Sequence, residues 1–180
     1  MTRTVVKANY VPLGGGRSAV RASAGYYGHR PDGDGRRGWR PGFDAEREGL
    51  GKEEVYGLVR EAKGEYAYRI VLSPGREMEA DEVKRWTREV METVESGGGE
   101  WVGFVHDDHT AHPHAHVIAF TGSKLEREDF AEMREEGDRS AELVLEFRAE
   151  VTQDPMGAED HSLYRSRMPP ERARGSEVEA

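Results

Sequence analysis

Residues 112–120 read HPHAHVIAF, and a short polar stretch separates them from the run WVGFVH that ends at His106. Side chains alternate faces along a β-strand, so His112, His114 and His116 point one way while Ala115, Val117 and Ala119 point the other and can pack in a core. The two apolar runs, 100–108 and 112–122, predict a hairpin that brings His106 back beside the second strand. Three imidazole nitrogens from neighbouring strands can converge on one divalent cation and leave positions open for water or a phosphate oxygen. The bland alternative is a run of exposed histidines at a hairpin mouth. The apolar flanks argue against it, because burying several imidazoles without a partner is costly.

A second group of residues lies near the amino terminus. Residues 1–40 carry eight Lys or Arg against Asp32 and Asp34, a local charge of +6 in a chain whose net charge is −9, which leaves −15 for the rest. Arg17, Arg21, Arg30, Arg36, Arg37 and Arg40 interleave with Tyr26, Tyr27 and Trp39. Guanidiniums for phosphates and rings for bases are the equipment of a single-strand binder. The same aromatics could equally be core residues, and the charges a solvated loop. Cysteine is absent, so disulfides and thiolate chemistry are excluded and any metal must be held by His, Asp, Glu or water.

These residues need elements to position them. VVKANYV (5–11) is a short β-branched strand, stopped by PLGGGR; residues 17–27 have the spacing of a short helix; and the Gly-, Pro- and Arg-rich stretch 28–42 reads as a loop. Residues 52–63 place Val55, Leu58, Val59 and Ala62 on one helical face, 65–74 alternate as a strand, and 79–96 repeat Val83, Trp86, Val90 and Val94 before a glycine run. Acidic helical segments follow at about 126–136 and 139–151. At 180 residues the chain fits one domain, 1–151, with a polar and flexible tail from 152 to 180. The order predicts an α+β fold, with a central antiparallel β-sheet, flanking helices and the histidine hairpin at its centre, in preference to a doubly wound parallel sheet.

The stretch WVGFVHDDHTAHPHAHVIAF resembles the third motif of plasmid mobilisation relaxases of the MobA and VirD type, in the HUH endonuclease superfamily. There a His-hydrophobic-His pair supplies two metal ligands and an upstream His the third. His114-Ala115-His116 fits the pair and His106 the upstream partner. YRIVLSPGREMEADEVKRWTREVMETVES (68–96) resembles the strand and helix before that motif, and RSAVRASAGYYGHRPDG (17–33) the segment bearing the nucleophilic tyrosine, after a Gly-rich turn such as residues 13–16. The spacing of Ala22, Ala24 and Tyr26 implies Tyr26 as nucleophile, whereas counting back from Arg30 implies Tyr27. Asp108 is a candidate partner for a ligand imidazole or the tyrosine, His112 a phosphate contact, and His29 a DNA contact or an exposed side chain.

The resemblance implies metal-dependent, strand-specific nicking and rejoining of single-stranded DNA at an origin of transfer, with Mg or Mn as cofactor and accessory mobilisation proteins as possible partners. The start of the chain has no signal-like apolar run and no segment is long enough to span a membrane, so the expectation is a cytoplasmic protein without membrane insertion. Two other readings compete. HPHAHVI also matches the alternating histidines of histidine-triad nucleotide hydrolases, although Pro113, His106 and the tyrosine segment fit that family poorly. A relaxase-like DNA-binding protein without catalysis is the other, since the chain lacks the long carboxy-terminal extension of many relaxases. Replication initiators and transposases place their tyrosine after the metal motif, where only Tyr164 is available.

Overall fold

A computed structural model describes residues 3–31, 35, 38–94, 99–107 and 112–153. Its elements run β1 (Val5–Pro12), α1 (Leu13–His29), α2 (Lys52–Glu61), β2 (Tyr66–Ser73), α3 (Ala80–Glu92), β3 (Glu100–His106), β4 (His114–Thr121) and α4 (Arg127–Gln153). The chain divides into two compact units, residues 1–144 and 145–180; of the second only the end of α4 is described. The tail expected from 152 onward lies outside the described residues except for Thr152 and Gln153.

The strands form one four-stranded sheet in the order β1-β2-β4-β3, every pair antiparallel. The α+β architecture is as the sequence predicts. The hairpin supplies an inner strand, β4, and an edge strand, β3, whose outer side is covered where Phe43 and Gly103 exchange backbone hydrogen bonds of 2.9 and 2.7 Å. Alternation sorts the side chains onto two faces. Val102, Phe104, Ile118 and Phe120 join Leu13, Val20, Ala24, Val55 and Val59 from α1 and α2. Tyr68, Ile70, Leu72, Ala115, Val117 and Ala119 join Val83, Trp86 and Val90 of α3 and Met133 of α4. The sheet is therefore the middle of three layers.

Two glycine segments behave differently from the sequence expectation. Leu13 and the three glycines after it form the first turn of α1, which starts directly after β1. The chain turns sharply at Pro12, pinned by Leu13 N–H donating to Glu65 O at 2.8 Å, and a Cβ on Gly16 would lie 2.8 Å from Val11 Cγ2. Helix and strand approach too closely there for a side chain, which offsets glycine's entropic cost. The two acidic segments expected around Gly137 are one continuous helix, α4. At Gly137 the helix backbone lies against Thr4, and the Gly137 carbonyl accepts the buried Trp86 indole N–H at 2.8 Å.

Gly137→Ala tests that contact. Alanine is the better helix former by about 1 kcal/mol, but its Cβ would sit 2.5 Å from Thr4 Cγ2. The overlap should win, destabilising the protein by roughly 1–3 kcal/mol. A thermal melt would register a lower Tm; an unchanged or higher Tm would show that Thr4 yields freely.

Candidate metal centre and tyrosine helix

The β3–β4 register sets the site. His106 pairs directly with His114, and Phe104 with His116, so the three imidazoles lie at one end of the face that carries α1 and α2. Ring centroids are 5.6 Å apart for His106 and His114, 4.6 Å for His106 and His116, and 5.1 Å for His114 and His116. One ligand nitrogen from each lies within 4.8 Å of the others. Nitrogens about 2.1 Å from a shared ion are at most about 4.2 Å apart, so small side-chain rotations suffice to complete the set. His112, expected on the same face, precedes the strand in an exposed bend. Its carbonyl accepts from His114 Nδ1 at 3.4 Å.

That bond fixes the His114 tautomer and leaves the Nε2 lone pair for a ligand, the usual arrangement around a metal-binding imidazole. Both nitrogens of His116 and Nε2 of His106 are buried with no hydrogen-bond partner. Burial first, then His116, Arg40 and Arg30, push the His106 pKa down to about 3. Burial first, then His114 and Arg30, push His116 down to about 4. Burial also lowers His114, against the opposing effect of the His112 carbonyl. All three rings are thus neutral donors at physiological pH. Neutral imidazoles with orphaned nitrogens fit a divalent cation.

Helix α1 brings the tyrosines to this face. Val20, Ala24 and Gly28 are buried beneath it. Tyr27, half-buried, stacks on His116 with ring centroids 4.4 Å apart and planes at 24°. Tyr26 points outward, 63% exposed, with its ring 6.0 Å from that of Tyr27. Burial is the largest influence on Tyr27 and raises its pKa, opposed by Arg69 and reinforced by Tyr26.

The basic segment that follows is partly structural. Trp39 lies across Gly28, where a Cβ would come within 2.3 Å of the indole, and its N–H donates to Leu50 O at 3.0 Å. His29 meets Trp39 edge-on at 5.2 Å. Arg17 donates to the carbonyls of Val59, Arg60 and Ala62 at 2.9, 3.2 and 2.9 Å, satisfying the end of α2. Arg21 covers the Tyr56 ring at 4.4 Å. Arg40 donates to Val105 O at 2.6 Å and pairs with Asp107 at 3.8 Å, bracing the end of β3. Arg36, Arg37, Asp108 and Tyr164 lie outside the described residues.

Of the candidate arginines, Arg30 reaches the triad directly, with Nη1 3.3 Å from His106 Nδ1. A guanidinium only donates, so this contact uses the Nδ1 lone pair and puts the ring proton on Nε2. His106 then has no free lone pair for a metal. Arg30 and a cation compete for the same imidazole.

Sequence reasoning missed Arg69. It is the one charged residue of β2, on the histidine face opposite Ile118; Nη1 lies 3.4 Å from Ser23 Oγ of α1 and Nε is buried without a partner. The signal was available as a single arginine within the apolar strand YAYRIVLS.

Neutral donors set into an antiparallel sheet beneath a tyrosine-bearing helix form a cluster that could hold a divalent cation. A family model described as "Relaxase: MobA/VirD2-like, nuclease domain" matches residues 45–151. That is more than half of the chain, and the protein belongs to this family. The match includes all three histidines and selects the relaxase resemblance over the histidine-triad hydrolase. It begins after α1 and so does not include Tyr26 or Tyr27; Tyr27 meets the triad by packing on His116. Comparison with curated proteins and with solved structures gave no match. Among the described residues, no helix is long and apolar enough to cross a membrane.

Three outcomes follow for metal binding. Calorimetry with Mn²⁺ should show one tight site that is lost in the double variant His114→Ala/His116→Ala. Because a proton competes for an imidazole only near or below its lowered pKa, His106 and His116, at about 3 and 4, should cost no affinity between pH 7 and about 5.5. A steep loss across that interval would mean that the rings are not buried as described. Removing the competing guanidinium in Arg30→Met should tighten Mn²⁺ binding by roughly fivefold or more. Weaker or unchanged binding would rule out the competition.

Proposed function

We propose that the protein nicks and rejoins single-stranded DNA in a metal-dependent, strand- and site-specific reaction through a 5′-phosphotyrosyl intermediate. This would act at the origin of transfer of a plasmid or other mobile element, in the cytoplasm and with accessory mobilisation proteins. The observation that carries the reading is the convergence of His106, His114 and His116 on the face beneath the tyrosine helix, with Nε2 of His106 and both nitrogens of His116 buried without partners.

A divalent ion held by the three imidazoles, Mg²⁺ or Mn²⁺, would polarise the scissile phosphate and offset the charge that develops on it. Tyr26 is the nucleophile in this reading. Its hydroxyl stands on the exposed side of α1, where a strand can reach it, whereas Tyr27 is packed flat against His116 and made less acidic by burial. Tyr27 acts as a wall that holds the His116 ring in place. The Tyr26 oxygen forms a bond to phosphorus as the bond from phosphorus to the 3′ oxygen breaks. The phenolic proton passes to a base, and the departing 3′ oxygen leaves as a hydroxyl. One ester replaces another, so the step reverses without an external energy source.

The test is an incubation of the unmodified protein with single-stranded oligonucleotides of varied sequence and Mn²⁺, followed by a denaturing gel and mass spectrometry of the adducted peptide. The adduct should map to Tyr26. Tyr26→Phe should abolish it, while Tyr27→Phe should retain it at a reduced level. Cleavage that persists in Tyr26→Phe with no adduct on either protein would make the enzyme a plain metallonuclease. An adduct on Tyr27 would reverse the assignment of the pair.

A further inference from the structure

The strand register lays out a surface that the reaction centre does not use. Lys7 pairs with Val71, and Val71 with His116, in one row across three strands; Asn9, Arg69 and Ile118 form the next row, and Val5 pairs with Ser73. Residues directly paired share a face, so all of these stand on the histidine side. Towards β1 that face is open: Val5, Lys7 and Asn9 are exposed, and Val5, Lys7, Val71, Ser73 and His114 line a shallow cleft of about 270 Å³. Through His114 the cleft is continuous with the metal centre.

Its charge is one-sided. The chain has 35 Asp and Glu, yet β1, α1, β2 and β4 contain none. The cleft is therefore a basic and apolar surface in an acidic protein. Lys7 makes no ion pair among the described residues, and Arg69 keeps a buried Nε without a partner. Of the basic residues nearer the amino-terminal loop, Arg17 and Arg40 are engaged by backbone carbonyls and Arg21 by Tyr56. Strands lie about 4.8 Å apart, so the Lys7 and His116 backbones are separated by roughly 10 Å, within reach of one short piece of extended strand.

We propose that this cleft is a subsite for the single-stranded DNA flanking the scissile phosphate, with Lys7 contacting a backbone phosphate and Val5 and Val71 forming an apolar floor for a sugar or base. The inference rests on the nicking function proposed above and extends it, since it states on which side of the metal centre the strand continues. The strand crosses the open part of the sheet towards β1, away from the β3 edge.

The experiment uses the full chain and a fluorescein-labelled single-stranded oligonucleotide of mixed sequence, titrated over a salt series. Lys7→Glu should weaken binding about tenfold at low salt and make the salt dependence shallower by roughly one to two counterions. Lys7→Arg should restore both. Lys63→Glu makes the same change of charge on an exposed residue at the other end of β2 and should alter affinity less than about twofold. Mn²⁺ binding should be equal in all of them, which separates the subsite from the metal centre. If Lys7→Glu and Lys63→Glu lose affinity equally, the strand does not cross this face and the subsite is overturned. If the unmodified protein binds no single-stranded DNA, the nicking function fails, and this inference with it.

Discussion

The pairing of β3 with β4 is the constraint on which the site depends. His106 stands opposite His114, and Phe104 opposite His116, only in this register. A slip by one residue would turn every imidazole to the other face. What holds the register is apolar: Val102, Phe104, Ile118 and Phe120 continue the same face and are buried beneath α1 and α2. Each such side chain contributes about 1.5–3 kcal/mol when taken out of water. The histidines gain nothing comparable, since three of their nitrogens are buried without partners. The core therefore imposes the triad on a sheet that would be more stable without it. Any ion that binds only the folded triad returns part of that cost as stability.

The tyrosine helix is tied to the same face by a different device. β1 runs into α1 through a corner too tight for a side chain at Gly16, and the far end of the helix is held where Arg40 N–H donates to Gly28 O at 2.7 Å and Trp39 crosses Gly28. With both ends fixed and Val20 and Ala24 buried between them, the rotation of the helix leaves Tyr27 against His116 and Tyr26 outside it. The adjacent rings thus have opposite surroundings. One loses acidity and freedom to packing, and the other keeps access to a substrate. The glycines at 16 and 28 are where side-chain or ring approach leaves no room for a Cβ, so they determine the angle at which α1 meets the histidine cluster.

The strands, the hairpin and its three convergent imidazoles were legible because period-two alternation states which side chains share a face. The glycine runs were not. A sequence shows Gly as a breaker, and only a neighbour in space, Val11 for Gly16 or Thr4 for Gly137, shows that it permits a close approach within a helix. The arginines were similarly ambiguous. Nothing local distinguishes Arg17, which satisfies carbonyls at the end of α2 that lie 42 to 45 residues further along the chain, from a phosphate contact. Trp39 reads as a stacking ring until its N–H is found on Leu50 O. His112 belonged to the alternating triplet by pattern alone, but the strand begins two residues later.

An acidic protein that handles a polyanion looks contradictory only if charge is averaged over the chain. At physiological ionic strength fields decay over about 8 Å, so a phosphate responds to the side chains on the face it touches and little to the opposite layer. Many carboxylates stand on α3 and α4, on the other face of the sheet, and three, Glu53, Glu54 and Glu61, on α2 of the histidine face, while β1, α1, β2 and β4 carry none. The number of cations on the histidine face matters less than the number left uncommitted. Carbonyls at the end of α2 and in β3 engage Arg17 and Arg40, and His106 engages Arg30. A cation entering the triad would thus do more than polarise a phosphate. It would also compete with Arg30 for His106, so the guanidinium and the cation could not both hold that ring.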